Sequence, residues 1–307
     1  MKKENSKRKT KFEFFSISGQ QLYEVIANNF KTAIKKLIIN DKKNLRGIVL
    51  KNVNLSNLDL SNLDLSSIRL INCNLSKCDM KNSKLTFSKI SNCNLSNSDL
   101  SNCDLHDSEL IKCNLSSVNL KNSIMDESII SDSNFSKSEI YKINLSYSSL
   151  DNCNFTDSNI SYANMMDSFL ESCNMKNSNL SNCNFNSCRL NKVSFYNANL
   201  ISVDLLYARL YKCNLKKANY QISKILHSCY WEKLSNKLNL ELMRRDAIIC
   251  GSKKMNKWVN EGVCPFSNNI EQDFYFEPIA NLWTPGEPKL NDMELFKELC
   301  KENHIEI

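Results

Sequence analysis

Every fifth residue from Leu45 to Tyr220 is a large apolar side chain, and the phase holds over thirty-six positions without an insertion. A spacing of five fits neither the 3.6-residue turn of a helix nor the two-residue alternation of a strand. It requires a coil that repeats and that buries its apolar residues only by stacking on its neighbours. Two residues before each large position sits a second inward candidate, mostly small: Cys73, Cys78, Ser83, Ser88, Cys93 and Ser98, then Ala163, Ala198, Ala208 and Ala218. Between the two lies Asn or Asp in most repeats, as at Asn54, Asp59, Asp64, Asn74 and Asp79.

Segments such as Cys73-Asn74-Leu75-Ser76-Lys77 and Ala198-Asn199-Leu200-Ile201-Ser202 resemble the pentapeptide-repeat proteins, whose pattern is a small residue, Asp or Asn, Leu or Phe, then two variable positions. The resemblance covers 176 of the 307 residues. It implies an all-β solenoid, a right-handed quadrilateral β-helix with four repeats and twenty residues per coil. Residues 45–220 then make about nine coils and a rod of roughly 43 Å at the strand spacing of about 4.8 Å. Residues twenty apart share a column. One small column reads Val53, Cys73, Cys93, Cys113, Ser133, Cys153, Cys173, Val193, Cys213, and one large column contains Phe135, Phe155, Met175 and Phe195.

Ten of the fourteen cysteines fall at the small inward position. Parallel side chains about 4.8 Å apart sit wider than the separation that disulfide Cβ atoms prefer. These cysteines therefore read as reduced, space-filling thiols, in keeping with a cytoplasmic location. Exposed Asn52, Asn72 and Asn92 share an outer column suited to an amide ladder. No stretch is long and apolar enough to span a membrane. The segment from Met1 to Phe15 is basic and lacks the apolar core of a secretory signal.

The ends of a solenoid need covers. Residues 1–15 read as a basic disordered arm. Residues 16–44 read as an N-terminal capping helix, because Leu22, Val25, Ile26, Phe30, Ala33, Ile34, Leu37 and Ile38 recur at helical spacing. Residues 221–307 read as a mainly helical C-terminal capping module, similar to one that follows pentapeptide arrays in some bacterial and phage proteins. Its landmarks, Trp258, Gly262, Pro265, Trp283, Pro285 and Gly286, are of the packing kind.

Little in the chain points to catalysis, so no catalytic, cofactor or metal residues are assigned from sequence. The solenoid has no glycine after Gly47 and thus no phosphate-cradling loop. His227, Cys229, Cys250 and Cys264 have the residue types of a zinc site but not its paired spacing. Some bacterial effectors of the family join the β-helix to a ligase with a catalytic cysteine. Here only 87 residues follow Tyr220, and Cys264 and Cys300 lack a neighbouring base in sequence.

Charge sorts the binding hypotheses. Residues 1–44 hold eleven Lys or Arg against four Asp or Glu, whereas residues 45–220 hold eighteen against sixteen. The basic excess is an arm, Lys2, Lys3, Lys7, Arg8, Lys9 and Lys11, able to make weak nonspecific contact with nucleic acid. Some family members modulate DNA gyrase, a type II topoisomerase, as dimers whose acidic rod mimics DNA; Lys77, Lys81, Lys84 and Lys89 depart from that pattern. Outward aromatics gather in the later coils, and Tyr141, Tyr147, Tyr162, Phe169, Tyr196, Tyr207 and Tyr211 form the candidate protein-binding surface. The reading as a whole is a non-enzymatic interaction scaffold, bacterial or phage-encoded, with an unknown protein partner and a possible homodimer. The alternatives are the topoisomerase modulator and a secreted host-directed effector.

Overall fold

The computed structural model describes residues 9–40, 45–205 and 208–219, together with the backbone of 229–232. From Leu45 to Asn219 the described residues form a parallel-strand β-solenoid. One face carries three-residue strands at twenty-residue intervals: β3 (Val49–Lys51), β4 (Arg69–Ile71), β5 (Lys89–Ser91), β6 (Glu109–Ile111), β7 (Ile129–Ser131), β8 (Ser149–Asp151), β9 (Phe169–Glu171), β10 (Arg189–Asn191) and β11 (Arg209–Tyr211). Eight turns separate β3 from β11, and β12 (Cys229–Glu232) adds to the same sheet in parallel. The other three faces are joined by single parallel bridges, as in Asn54 with Asn74, Asp59 with Asp79 and Asp64 with Lys84.

Each coil is held to the next by its backbone. The Leu55 N–H donates to the Asn74 carbonyl at 2.7 Å, and the Asn74 N–H returns to Val53 at 2.9 Å. This alternation repeats around every face, so the ladder satisfies backbone groups that a buried core could not leave unpaired. Inside, every large position from Leu45 to Leu215 is buried. Phe135 and Phe155 stack with ring centroids 4.8 Å apart and planes 12° from parallel, which is the coil spacing expressed in side chains.

The small column has a second duty beyond filling space. Its hydroxyls and thiols donate to the carbonyl of a large residue in the preceding coil: Ser83 Oγ to Leu60 at 2.7 Å, Ser123 Oγ to Leu100 at 2.6 Å, Cys78 Sγ to Leu55 at 3.1 Å and Cys103 Sγ to Met80 at 2.9 Å. Ser and Cys are therefore interchangeable there, each small enough to fit and able to donate one hydrogen bond in the interior. The ten solenoid cysteines are buried, and none of them is in a disulfide.

Outside, the Asn or Asp before each large residue accepts the N–H two residues on, as Asn54 Oδ1 does from Ser56 at 3.0 Å, which locks the turn. The amide nitrogens then link coils. Asn72 reaches Asn52 at 3.0 Å as the sequence suggests, and longer runs form through Asn144, Asn164 and Asn184 and through Asn159, Asn179 and Asn199.

The N-terminal cover differs from the sequence expectation. Where a disordered arm over 1–15 and a helix over 16–44 are expected, the described residues 9–40 form an antiparallel hairpin, β1 (Thr10–Phe15) and β2 (Gln21–Ala27), followed by α1 (Phe30–Asn40); residues 1–8 and 41–44 lie outside the described residues. The helical spacing through Leu22, Val25 and Ile26 is coincidental: Val25 and Ala27 point into the core while Ile26 is exposed, an alternation of two. Gly19 turns the hairpin at a φ of +82°, and the Asn29 side chain caps α1 by accepting the Thr32 N–H at 2.8 Å. Phe14, Ile34 and Leu37 join the solenoid core and cover its first coil. The C-terminal module expected over 221–307 lies outside the described residues, apart from β12.

Two outcomes follow from the packed column. Phe155→Ala removes half of a stacked pair and should lower stability by about 3–5 kcal/mol in urea unfolding. Native alkylation followed by peptide mass mapping should leave all ten solenoid cysteines unmodified until the chain is unfolded. Burial pushes the thiols of Cys103, Cys183 and Cys188 up to about 12 and that of Cys113 up to about 11, so at those four the reactive thiolate is scarce as well as inaccessible. The Cys73 thiol is lowered to about 7 by its hydrogen bond with Cys93, and there burial alone gives the protection.

Candidate functional site

The corners of the coil set the terms for any site on this rod. Residues at every fifth position from Asn52 have a left-handed backbone, with φ between 50° and 62° where described. Asn tolerates that conformation best among residues with a side chain, and it occupies many corners. Three described corners carry aromatic rings instead: Phe87 at φ 59°, Tyr147 at 59° and Tyr162 at 61°. All three are about half exposed, so packing does not account for them. A bulky side chain in this region costs of the order of 1–2 kcal/mol.

Tyr147 and Tyr162 stand at the two edges of one face, the one that carries Asn144, Ser146, Asn164 and Met166 outward. The Tyr147 N–H donates to the Met166 carbonyl at 2.9 Å, tying the edge to the face. Beside Tyr162 lies Tyr141, with ring centroids 5.5 Å apart at 69°, and Lys142 Nζ sits 5.3 Å from the Tyr141 centroid. Beyond the Tyr147 edge, Phe169 and Ile129 flank Ser149 in one column of the strand face. Ile124 and Ile129 are exposed as well. The result is a belt of exposed rings and isoleucines spread over three coils, with Asn144, Ser146, Ser149 and Asn164 between them.

Of the seven surface residues expected from sequence, Tyr141, Tyr147, Tyr162 and Phe169 border this belt. Tyr196 does not. It lies on the opposite face between Lys176 and Lys217, each 5.6 Å from its ring, and a hydrogen bond from Lys217 lowers its phenol pKa. Tyr207 and the side chain of Tyr211 are outside the described residues. Grouping the aromatics by region of the chain groups them by coil, whereas it is the position within the twenty-residue register that groups them by face and sets Tyr196 apart.

A second cluster is missed by reading along the chain, because its members lie one coil apart. His106 Nδ1 is 3.2 Å from Asp126 Oδ1, and Glu127 is near both. The offset of twenty between 106 and 126 is the signal that would have found it. Partial burial works to lower the His106 pKa, and the carboxylates of Asp126, Glu127 and Asp107 outweigh it, so the imidazole is raised above its ordinary value. The edge of the Phe87 ring closes one side, with centroids 5.9 Å apart at 81°.

The remaining candidates are separate from both clusters. In the basic arm, Lys11 lies in β1 and pairs with Glu13 at 3.0 Å and Glu24 at 2.9 Å, which removes it from any free cationic tail. Lys2, Lys3, Lys7 and Arg8 lie outside the described residues, as do Cys264, Cys300 and the side chains of the weighed zinc set, His227, Cys229, Cys250 and Cys264. No described helix is long and apolar enough to cross a membrane.

A family model for pentapeptide repeats, in eight copies, matches residues 64–102, 98–136, 138–177 and 178–216. No curated protein matches the chain. Among solved structures, HetL, a pentapeptide repeat protein involved in heterocyst differentiation regulation in the cyanobacterium Nostoc sp. strain PCC 7120, is 22% identical, covering 65% of this chain and 96% of its own, with a TM-score of 0.32. A trypsin-treated form of QnrB1, a plasmid-mediated fluoroquinolone resistance protein, is 18% identical over 65% of this chain and 97% of its own, with a TM-score of 0.39. Rfr23 from the cyanobacterium Cyanothece 51142 is 16% identical over 62% and 99%, with a TM-score of 0.15. The superpositions are too loose to carry weight, and family membership rests on the repeat match and the coil register.

Proposed function

The chain belongs to the pentapeptide-repeat family, and we propose that it is a non-enzymatic scaffold that holds a protein partner on the belt between Tyr162 and Phe169. One observation carries this reading: Tyr147 and Tyr162 occupy left-handed corners, are half exposed, and bracket a single face. Neither the fold nor the core benefits from a ring there. Rigid aromatic area with a polar handle is what the centre of a protein interface uses. Tyr141, Met166, Phe169 and Ile129 extend the same surface around the Asn144–Asn164 amide pair that crosses the face.

The electrostatics of the rod support protein contact over mimicry of duplex DNA. A DNA-like surface needs dense and regular negative charge. The outward column of the strand face instead runs Arg69, Lys89, Glu109, Ile129, Ser149, Phe169, Arg189, Arg209. Its middle is apolar and its ends are basic, which suits neither a stand-in for nucleic acid nor a continuous binder of it.

The test separates folding from binding. Tyr147→Asn and Tyr162→Asn place the preferred corner residue at each site, so each variant should match or exceed the parent in stability, by up to about 1 kcal/mol. In affinity capture from nuclease-treated lysate, a protein retained stoichiometrically by the parent should be lost by the double variant. Retention of the same protein by a fully folded double variant would remove the belt as the binding surface.

A further inference from the structure

The geometry points to a divalent transition-metal site of the zinc class on the corner of the rod, formed by His106, Asp126 and Glu127. One imidazole nitrogen and two carboxylates bring their ligand atoms within 4.8 Å of one another. These are borderline and hard donors in the proportion that zinc accepts. The 3.2 Å between His106 Nδ1 and Asp126 Oδ1 is close to the edge of a tetrahedron with metal–ligand bonds of about 2.0 Å.

Asp126 Oδ1 is enclosed, and the His106 imidazole meets it as an ion pair at 3.2 Å without a well-aligned N–H···O bond. Loose pairing of this kind compensates the enclosed oxygen only in part, and a cation ligated by both groups would compensate it more fully.

The surroundings favour a cation over a lone imidazolium. Asp107, Asp126 and Glu127 set three carboxylates around the one ring, an excess of negative charge suited to a cation. The edge-on Phe87 ring shields one side, and water exclusion strengthens the attraction between ion and ligands. Asp126 is held on its face by the coil ladder, while Glu127 is exposed and closes on the ion by side-chain rotation alone. The ligands come from successive coils, so the ion would also clamp one coil to the next.

Calorimetric titration of the full chain with Zn²⁺ tests the site, with Co²⁺ as a spectroscopic probe. His106→Gln and Asp126→Asn should each remove one equivalent of bound metal, or weaken it about tenfold or more, while the circular dichroism and unfolding midpoint without metal stay unchanged. The cobalt lost in the variants should show ligand-field bands without thiolate charge transfer. Zinc held by cysteines elsewhere would persist in both variants. Absence of binding, or binding unchanged in both folded variants, would overturn the assignment and leave a His–Asp ion pair.

Discussion

The backbone ladder between coils is the constraint from which everything else follows. Because the Leu55 N–H must meet the Asn74 carbonyl and the Asn74 N–H must meet Val53, a coil cannot gain or lose a residue without breaking a row of buried hydrogen bonds. The fixed advance of twenty in turn places large residues over large residues and small over small. Phe135 over Phe155 is one product of that rule, and the chain of Ser and Cys side chains donating to the preceding coil is another. Twelve buried serines at the small inward position among the described residues would be a heavy burden in most cores. Many are tolerated here because the same register that buries them aims a carbonyl at each hydroxyl, as at Ser83, Ser98, Ser123 and Ser138.

That regularity explains which features were legible in the sequence. The period of five declares the solenoid, and arithmetic alone identifies the columns, the buried thiols and the first rung of the Asn52 ladder. Counting along the chain is less useful where the period stops. The N-terminal residues satisfy a helical template loosely through Leu22, Val25 and Ile26, but the stronger facts are local: Gly19 at positive φ and the alternation of Phe12, Glu13, Phe14 and Phe15 against β2. The partnership of His106 with Asp126 was open to the same column arithmetic and needed only the question of which polar residue stands above the one histidine of the rod. By contrast, Tyr196 shows the limit of reading aromatics by region, since it lies in the right part of the chain and on the wrong face.

The corners divide labour between fold and function. They are exposed, their backbone is dictated, and their side chains contribute little to the core, so they are where the rod can vary at modest cost. Asn is the economical choice there, and rings at Phe87, Tyr147 and Tyr162 depart from it. Two of these departures border the proposed partner-binding belt. The third, Phe87, covers the His106 cluster. The rod thus presents an aromatic belt in the coils around Tyr147 and a carboxylate-rich edge directly beneath it, with Glu127 one coil below Tyr147 in the same corner column. Both are built on a backbone that neither of them has to stabilise.

The central claim, that a twenty-residue register governs the fold, is tested most directly by thermal unfolding of two deletion variants. Removing residues 81–100 joins Met80 to Ser101 in the original phase and shortens the rod by one coil, about 4.8 Å. Removing only residues 96–98 breaks the phase. The whole-coil deletion should unfold cooperatively near the parent midpoint, and the three-residue deletion should lose the cooperative transition or unfold at a much lower temperature. If the smaller deletion proved as stable as the larger, the register would not be what holds this protein together.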